Sequence, residues 1–111
     1  NIGRVLDALR RSGLADTTRV IYTSDHGDNV GNRGLWGKSV MYEESAAVPF
    51  IAAGSGVPAG GVVDTPVSLV DIYRSALDCV GVEAPPEDKA LPSRSIWPII
   101  AGEAPDRTVL S

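Results

Sequence analysis

The arrangement that most restricts this chain is an amphipathic helix that feeds, within a few residues, a short apolar strand. Residues 2–12 place Ile2, Val5, Leu6 and Leu9 at i, i+3, i+4 and i+7, the spacing of one helix face, with Arg4, Asp7, Arg10 and Arg11 on the other. Gly13 reads as the C-cap and Asp16-Thr17-Thr18 as a turn. Arg19-Val20-Ile21-Tyr22-Thr23 follows, a β-branched and aromatic run of strand length. Helix into strand is half of a βαβ unit, which predicts an α/β fold with a mainly parallel sheet and flanking helices. At 111 residues the chain has the length of one domain and not two, so 1–111 is read as a single segment.

Beyond the strand the periodicity breaks. From Ser24 to about Val40, Gly27, Gly31, Gly34 and Gly37 punctuate a long polar loop. A loop of this length is usually functional, and in α/β sheets sites gather where strands end. A helical turn is expected near Met41–Ser45, and a second apolar strand over Val48–Ala53 with Pro49 near its start. Gly54 to Gly61 is turn-rich, and Val62-Val63 reads as a short strand. Val70–Val80 reads as a second amphipathic helix using Val70, Tyr73, Leu77 and Val80, ended by Gly81. Ala84 to Pro92 is a proline-rich loop, Ser95–Ala101 a last short helix closed by Gly102, and Thr108-Val109-Leu110 a strand.

Composition removes several classes of function. Hydrophobic residues at 43% and charged residues at 22% are ordinary for a globular chain and argue against disorder. A net charge of −4 with no Lys/Arg run argues against a nucleic-acid partner. No apolar run reaches the roughly 18–20 residues that cross a membrane, and no signal peptide is visible. No compartment follows from this. The one cysteine, Cys79, allows no internal disulfide and no cysteine-rich zinc site; its apolar helical setting predicts a buried structural thiol. Asn1 stands where a helix is already running, so the chain is expected to be a segment of a longer polypeptide. A segment parted from its sheet neighbours is expected to expose strand edges and associate.

The residues able to do chemistry lie between Thr23 and Glu44. Asp25 and His26 are adjacent at a strand end, where side chains point to opposite faces unless the backbone bends; Gly27 permits that bend. A carboxylate oxygen and a neutral imidazole nitrogen suit a divalent cation, although two ligands are too few for a tight site. A turn-forming Asp beside a surface His reads equally well from these residues alone. Lys38 closes Gly34-Leu35-Trp36-Gly37, where glycines allow close approach, and its ammonium could offset charge on an anionic ester; an ordinary solvated lysine is the other reading. Trp36 either walls a pocket or packs in the core. Asp28 and Arg33 read as a solvated loop pair, Glu43 and Glu44 as an acidic first turn, with Glu43 also able to orient Lys38.

Taken in order, these motifs resemble the sulfatase family of the alkaline phosphatase superfamily. The resemblance runs through Ile2 to Leu9, Thr23-Ser24-Asp25-His26-Gly27-Asp28, Gly34-Leu35-Trp36-Gly37-Lys38, and Tyr42-Glu43-Glu44-Ser45 leading to Val48-Pro49. It continues through Val67 to Tyr73, Leu77 to Val82, and Pro92-Ser93-Arg94-Ser95-Ile96. It implies part of an alkaline-phosphatase-like sandwich. It implies that Asp25 and His26 complete a single divalent metal site, with Ca2+ in most members and Mn2+ or Mg2+ in some, and that Lys38 contacts the sulfate group. The implied reaction is hydrolysis of a small-molecule or carbohydrate sulfate ester by a formylglycine hydrate. That nucleophile arises from a Cys/Ser-x-Pro-x-Arg motif near the family's N-terminus. Cys79 is followed by Val80-Gly81-Val82 and does not match it, and the family's N-terminal Asp-Asp ligands are likewise absent here. Ala47 stands where members often carry an arginine. The remainder of the same polypeptide is therefore needed for the site, and this chain alone is expected to be inactive. A phosphonate monoester hydrolase or phosphodiesterase of the same superfamily is the nearest alternative, and a non-catalytic binding domain the more distant one.

Overall fold

The computed structural model describes residues 1–103. The first helix, α1, spans Ile2–Arg11, and Gly13 follows it in the left-handed conformation at φ 73°. Asp7 and Arg10 pair at 2.9 Å on its outer side. A 3₁₀ turn at Ala15–Thr17 then leads into β1, Arg19–Tyr22. The second strand, β2, is Ile51–Gly54, later than the expected 48–53 because Pro49 carries no N–H for a ladder. Between the strands lie a 3₁₀ turn at Asn32–Gly34 and α2, the single turn Glu43–Ala46.

β1 and β2 pair antiparallel, with Val20 opposite Ala53 and Ile21 opposite Ala52. The expected parallel sheet is thus not formed among the described residues, whose sheet has these two strands. The physical reason is the connection. The segment from 23 to 50 leaves the end of β1 and returns to that same end, whereas a parallel partner needs a crossover to the opposite end. The helix-to-strand signal is borne out by α1 and β1, and no strand parallel to β1 occurs among the described residues.

The second helix of the expected pair, α3, spans Asp71–Val80 and ends on Gly81 at φ 66°. Its buried face is polar. Asp71 and Ser75 are fully buried, while Val70 and Val80 are 49% and 70% exposed. The Asp71 carboxylate accepts the backbone N–H groups of Ser68 and Arg94, each at 2.8 Å. The Ser75 hydroxyl donates to Asp71 O at 2.7 Å and accepts from Ile96 N at 3.0 Å. These bonds dock the segment 93–96 and deliver α4, Trp97–Ile100, whose Ile99 joins Ile96 as the buried apolar core of the described residues. Trp97 donates its indole N–H to Ser75 O at 2.8 Å and lies under the Arg19 guanidinium at 4.4 Å, tying α4 to β1.

Four further expectations change. Val62-Val63 pairs with no strand among the described residues, and Val62 is 89% exposed. The proline-rich loop contains a 3₁₀ turn, Pro86–Ala90, and the last helix is shorter than expected. Cys79 is exposed and free, on the outer side of α3 with Arg19 Nη1 3.7 Å away; it is not a buried structural thiol. The expected strand at 108–110 lies outside the described residues. No helix among those residues is long and apolar enough to cross a membrane.

Candidate active site

The site forms where β1 ends. Ser24 donates its hydroxyl to His26 O at 2.8 Å, which turns the chain at Asp25. Gly27 then runs tightly along α2, its N–H donating to Ser45 O at 2.9 Å. A Cβ at Gly27 would lie 2.0 Å from the Glu44 carbonyl oxygen. Glycine is required here by close approach and not by a left-handed backbone, a different reason from the bend read in the sequence.

The His26 ring is oriented by its own neighbour. Nδ1 lies 2.7 Å from Gly27 O. A carbonyl only accepts, so Nδ1 carries the hydrogen and Nε2 keeps a lone pair, the tautomer that a metal ligand needs. That nitrogen lies 3.4 Å from Asp25 Oδ2 and in hydrogen-bond contact with the Lys38 ammonium. Two acceptors so close repel one another unless positive charge stands beside them, and Lys38 supplies it. Asp25, His26 and Lys38 are therefore brought to one place across twelve residues of loop. Asp25 is open to solvent, its side chain 83% exposed, and His26 is partly open at 37%. The donor set of one carboxylate and one imidazole fits a divalent cation. No group of three or more His, Cys, Asp or Glu side chains placed to hold a metal occurs among the described residues.

The glycine-rich loop makes this convergence possible. Gly31, Gly34 and Gly37 have φ of 85°, 71° and 84°, and Val30 and Arg33 also occupy the left-handed region at 46° and 54°. Such conformations in non-glycine residues cost of order 1–3 kcal/mol each and persist where the surroundings enforce them. Trp36 covers Gly31, its ring carbon 3.3 Å from where a Cβ would stand, yet is 78% exposed; it is not a core residue. Arg33 does not pair with Asp28. It pairs with Glu44, 2.5 Å to each carboxylate oxygen, and lies over the Tyr42 ring at 4.5 Å. Asn32 also donates to Glu44. The Arg33 guanidinium holds the Glu44 carboxyl below the usual carboxylate range. Glu44, and not Glu43, is thus the acidic residue that α2 gives to the loop.

Two residues of the site carried no signal in the sequence. Asn29 is 3% exposed and Ser45 4%. Asn29 Nδ2 donates to Gly37 O at 2.5 Å and to Ser45 Oγ at 2.9 Å. Buried polar residues in an aperiodic loop give no pattern to read, because what selects them is their tertiary partners.

Known proteins resemble this chain in sequence and fold. The Sulfatase family model matches residues 1–82. Arylsulfatase K of Danio rerio is 42% identical over 100 residues, covering 90% of this chain and 18% of that protein. A choline-sulfatase of Rhizobium meliloti is 41% identical over 81 residues, covering 73% of this chain and 16% of that protein. Among solved structures, a phosphonate monoester hydrolase from Silicibacter pomeroyi superposes with a TM-score of 0.85 at 38% identity, over 94% of this chain and 20% of that one. A second, in complex with its substrate D-glucosamine-2-N,6-O-disulfate, gives 0.83 at 33% identity, over 96% and 21%. The chain thus spans about a fifth or less of the length of these relatives, and it reproduces the fold of that part of them. With the family model matching residues 1–82, this chain belongs to the sulfatase family.

Proposed function

We propose that this chain is the part of a sulfuric ester hydrolase that supplies two metal ligands and an anion-binding lysine to a site completed by the rest of the same polypeptide. The observation that carries this reading is the meeting of Asp25, His26 and Lys38 at one point, with the His26 Nε2 lone pair turned to positive charge. Asp25 and His26 would hold a divalent cation, Ca2+ in our reading with Mn2+ or Mg2+ as alternatives. When bound, it supplies Lewis-acid charge to the oxygens of the ester. Gly27 O fixes the imidazole tautomer. Lys38 directs an ammonium at the anionic ester group, where it offsets charge in the transition state. The nucleophile, a formylglycine in this reading, lies outside these residues; Cys79 lies beside Arg19, the first residue of β1, and not at the strand end where the loop begins. These 111 residues alone are inactive in this account, and the complete domain carries the parallel sheet that they lack.

The substrate in this reading is a sulfate ester of a small molecule or carbohydrate. Similarity to arylsulfatase K, to a choline-sulfatase and to a structure bound to a disulfated glucosamine supports it. The phosphonate monoester hydrolase neighbour favours a second reading, hydrolysis of a phosphonate or phosphate ester, in which the three residues keep the same tasks.

The metal assignment is tested by Asp25→Ala in the complete polypeptide. Metal content measured by mass spectrometry should fall together with activity; a variant with both unchanged would remove Asp25 from the site.

A further inference from the structure

Lys38 is a flexible four-carbon stem, and its ammonium reaches His26 only if its backbone starts from the right place. The Gly37 peptide just before it is clamped on both sides. Its N–H donates to Asp28 Oδ1 at 3.3 Å. Its carbonyl accepts from the Asn29 backbone N–H at 2.9 Å and from Asn29 Nδ2 at 2.5 Å. Asp28 Oδ1 also accepts from Val30 N at 2.8 Å, which fixes the carboxylate in a tight turn. The clamp is continuous with the other half of the site. Asn29 Nδ2 donates to Ser45 Oγ at 2.9 Å, Ser45 O accepts from Gly27 N at 2.9 Å, and Gly27 O holds His26 Nδ1 at 2.7 Å. One hydrogen-bonded path thus joins the root of Lys38 to the imidazole ring it meets.

Asn29 is chosen for its donor. Its Oδ1 is buried without a hydrogen-bond partner among the described residues, and a buried orphan acceptor is unfavourable. Turning the amide over would set Oδ1 against the Gly37 carbonyl and lose that bond, whereas the Ser45 hydroxyl can donate as well as accept, so Gly37 O decides the orientation. The loop tolerates the orphan and keeps the clamp. Asn29 and Ser45 are both more than nine-tenths buried, so water does not compete for these bonds.

We propose that Asp28 and Asn29 are positioning residues that clamp the Gly37 peptide and thereby aim Lys38 at the site it shares with His26; this rests on the role given to Lys38 above. The test is a double-mutant cycle in the complete, metal-loaded polypeptide, reading kcat/KM on an aryl sulfate. Lys38→Ala should lose activity on the order of 10²–10³-fold, as for removal of one electrostatic stabiliser. Asn29→Ala should lose about 10–100-fold through misplacement, yet cost under about 2-fold when added to Lys38→Ala, because residues acting through one another are not additive. Equal losses in both backgrounds, or no loss from Asn29→Ala while Lys38→Ala is impaired, overturn the clamp alone. A Lys38→Ala enzyme of unchanged activity overturns the role of Lys38 and the clamp with it. Should Asn29→Ala not fold, the exposed Asp28 serves instead. Asp28→Ala should lose about 3–10-fold, and Asp28→Asn, whose Oδ1 still accepts, should restore most of it. An Asp28→Asn enzyme as damaged as Asp28→Ala would make Asp28 a charge and not a clamp, and overturn the proposal.

Discussion

Gly27 shows how much one residue decides here. It stands between the imidazole of His26 and the carboxylate of Asp28, and its N–H is bonded to Ser45 O at 2.9 Å. Any side chain would meet the Glu44 carbonyl, a backbone atom that cannot turn aside. Gly27→Ala should therefore destabilise by about 1–3 kcal/mol, the usual range for overpacking a well-packed region, and displace His26 as it does so. Chemical denaturation of the complete polypeptide, followed beside its activity, reads both effects; unchanged values of the two would mean that α2 does not press on the site. At this scale the sequence was partly readable. Asp25, His26 and Lys38 stood out because a strand end, a glycine and a glycine-flanked lysine narrow what those side chains can do. Asn29 and Ser45 did not, since a buried asparagine in a polar loop looks like a solvated one until its partners are seen.

Among the elements, α2 bears a load that its single turn does not suggest. Besides taking Gly27 on its backbone, it holds the loop through Glu44, which Arg33 and Asn32 both engage. Because Arg33 depresses the Glu44 pKa in the folded protein, the stability this pair gives is present above the pKa of the unfolded chain and is lost as pH falls through the folded value. Loop integrity, read as resistance to limited proteolysis within residues 28–36, should therefore decline as pH drops from about 5 to about 3. In Glu44→Gln the loop should be more sensitive at neutral pH, with little further change across that window; an unaltered pH response would place the acid sensitivity elsewhere. The existence of α1, β1, β2 and α3 was legible from periodicity, that of a strand at Val62-Val63 was not borne out, and β2 began three residues late, after Pro49. The faces were harder. Hydrophobic spacing assigned Val70, Cys79 and Val80 to the inner side of α3, but its buried face is Asp71 and Ser75, because they bind the backbone of residues 93–96. Side-chain pattern cannot register a helix selected for holding a loop.

Taken whole, the described residues form an open arrangement. The radius of gyration is 16.1 Å, against about 13 Å expected for a compact chain of this length. Two apolar residues, Ile96 and Ile99, make up its buried hydrophobic core, and α1 buries none of its residues. Among the described residues the sheet stops at two antiparallel strands and no cluster of three metal-ligating side chains forms. What the chain does carry is one well-organised corner, in which a strand end, a strained loop and a single helical turn bring a carboxylate, an imidazole and an ammonium together. In the proposed function, this corner serves the hydrolysis of sulfate esters. The most direct test is to offer the complete polypeptide, with defined divalent metals, one aryl sulfate and the matching aryl phosphate monoester, diester and phosphonate. The account predicts a clear preference for the sulfate; a preference for any of the phosphorus esters would contradict it.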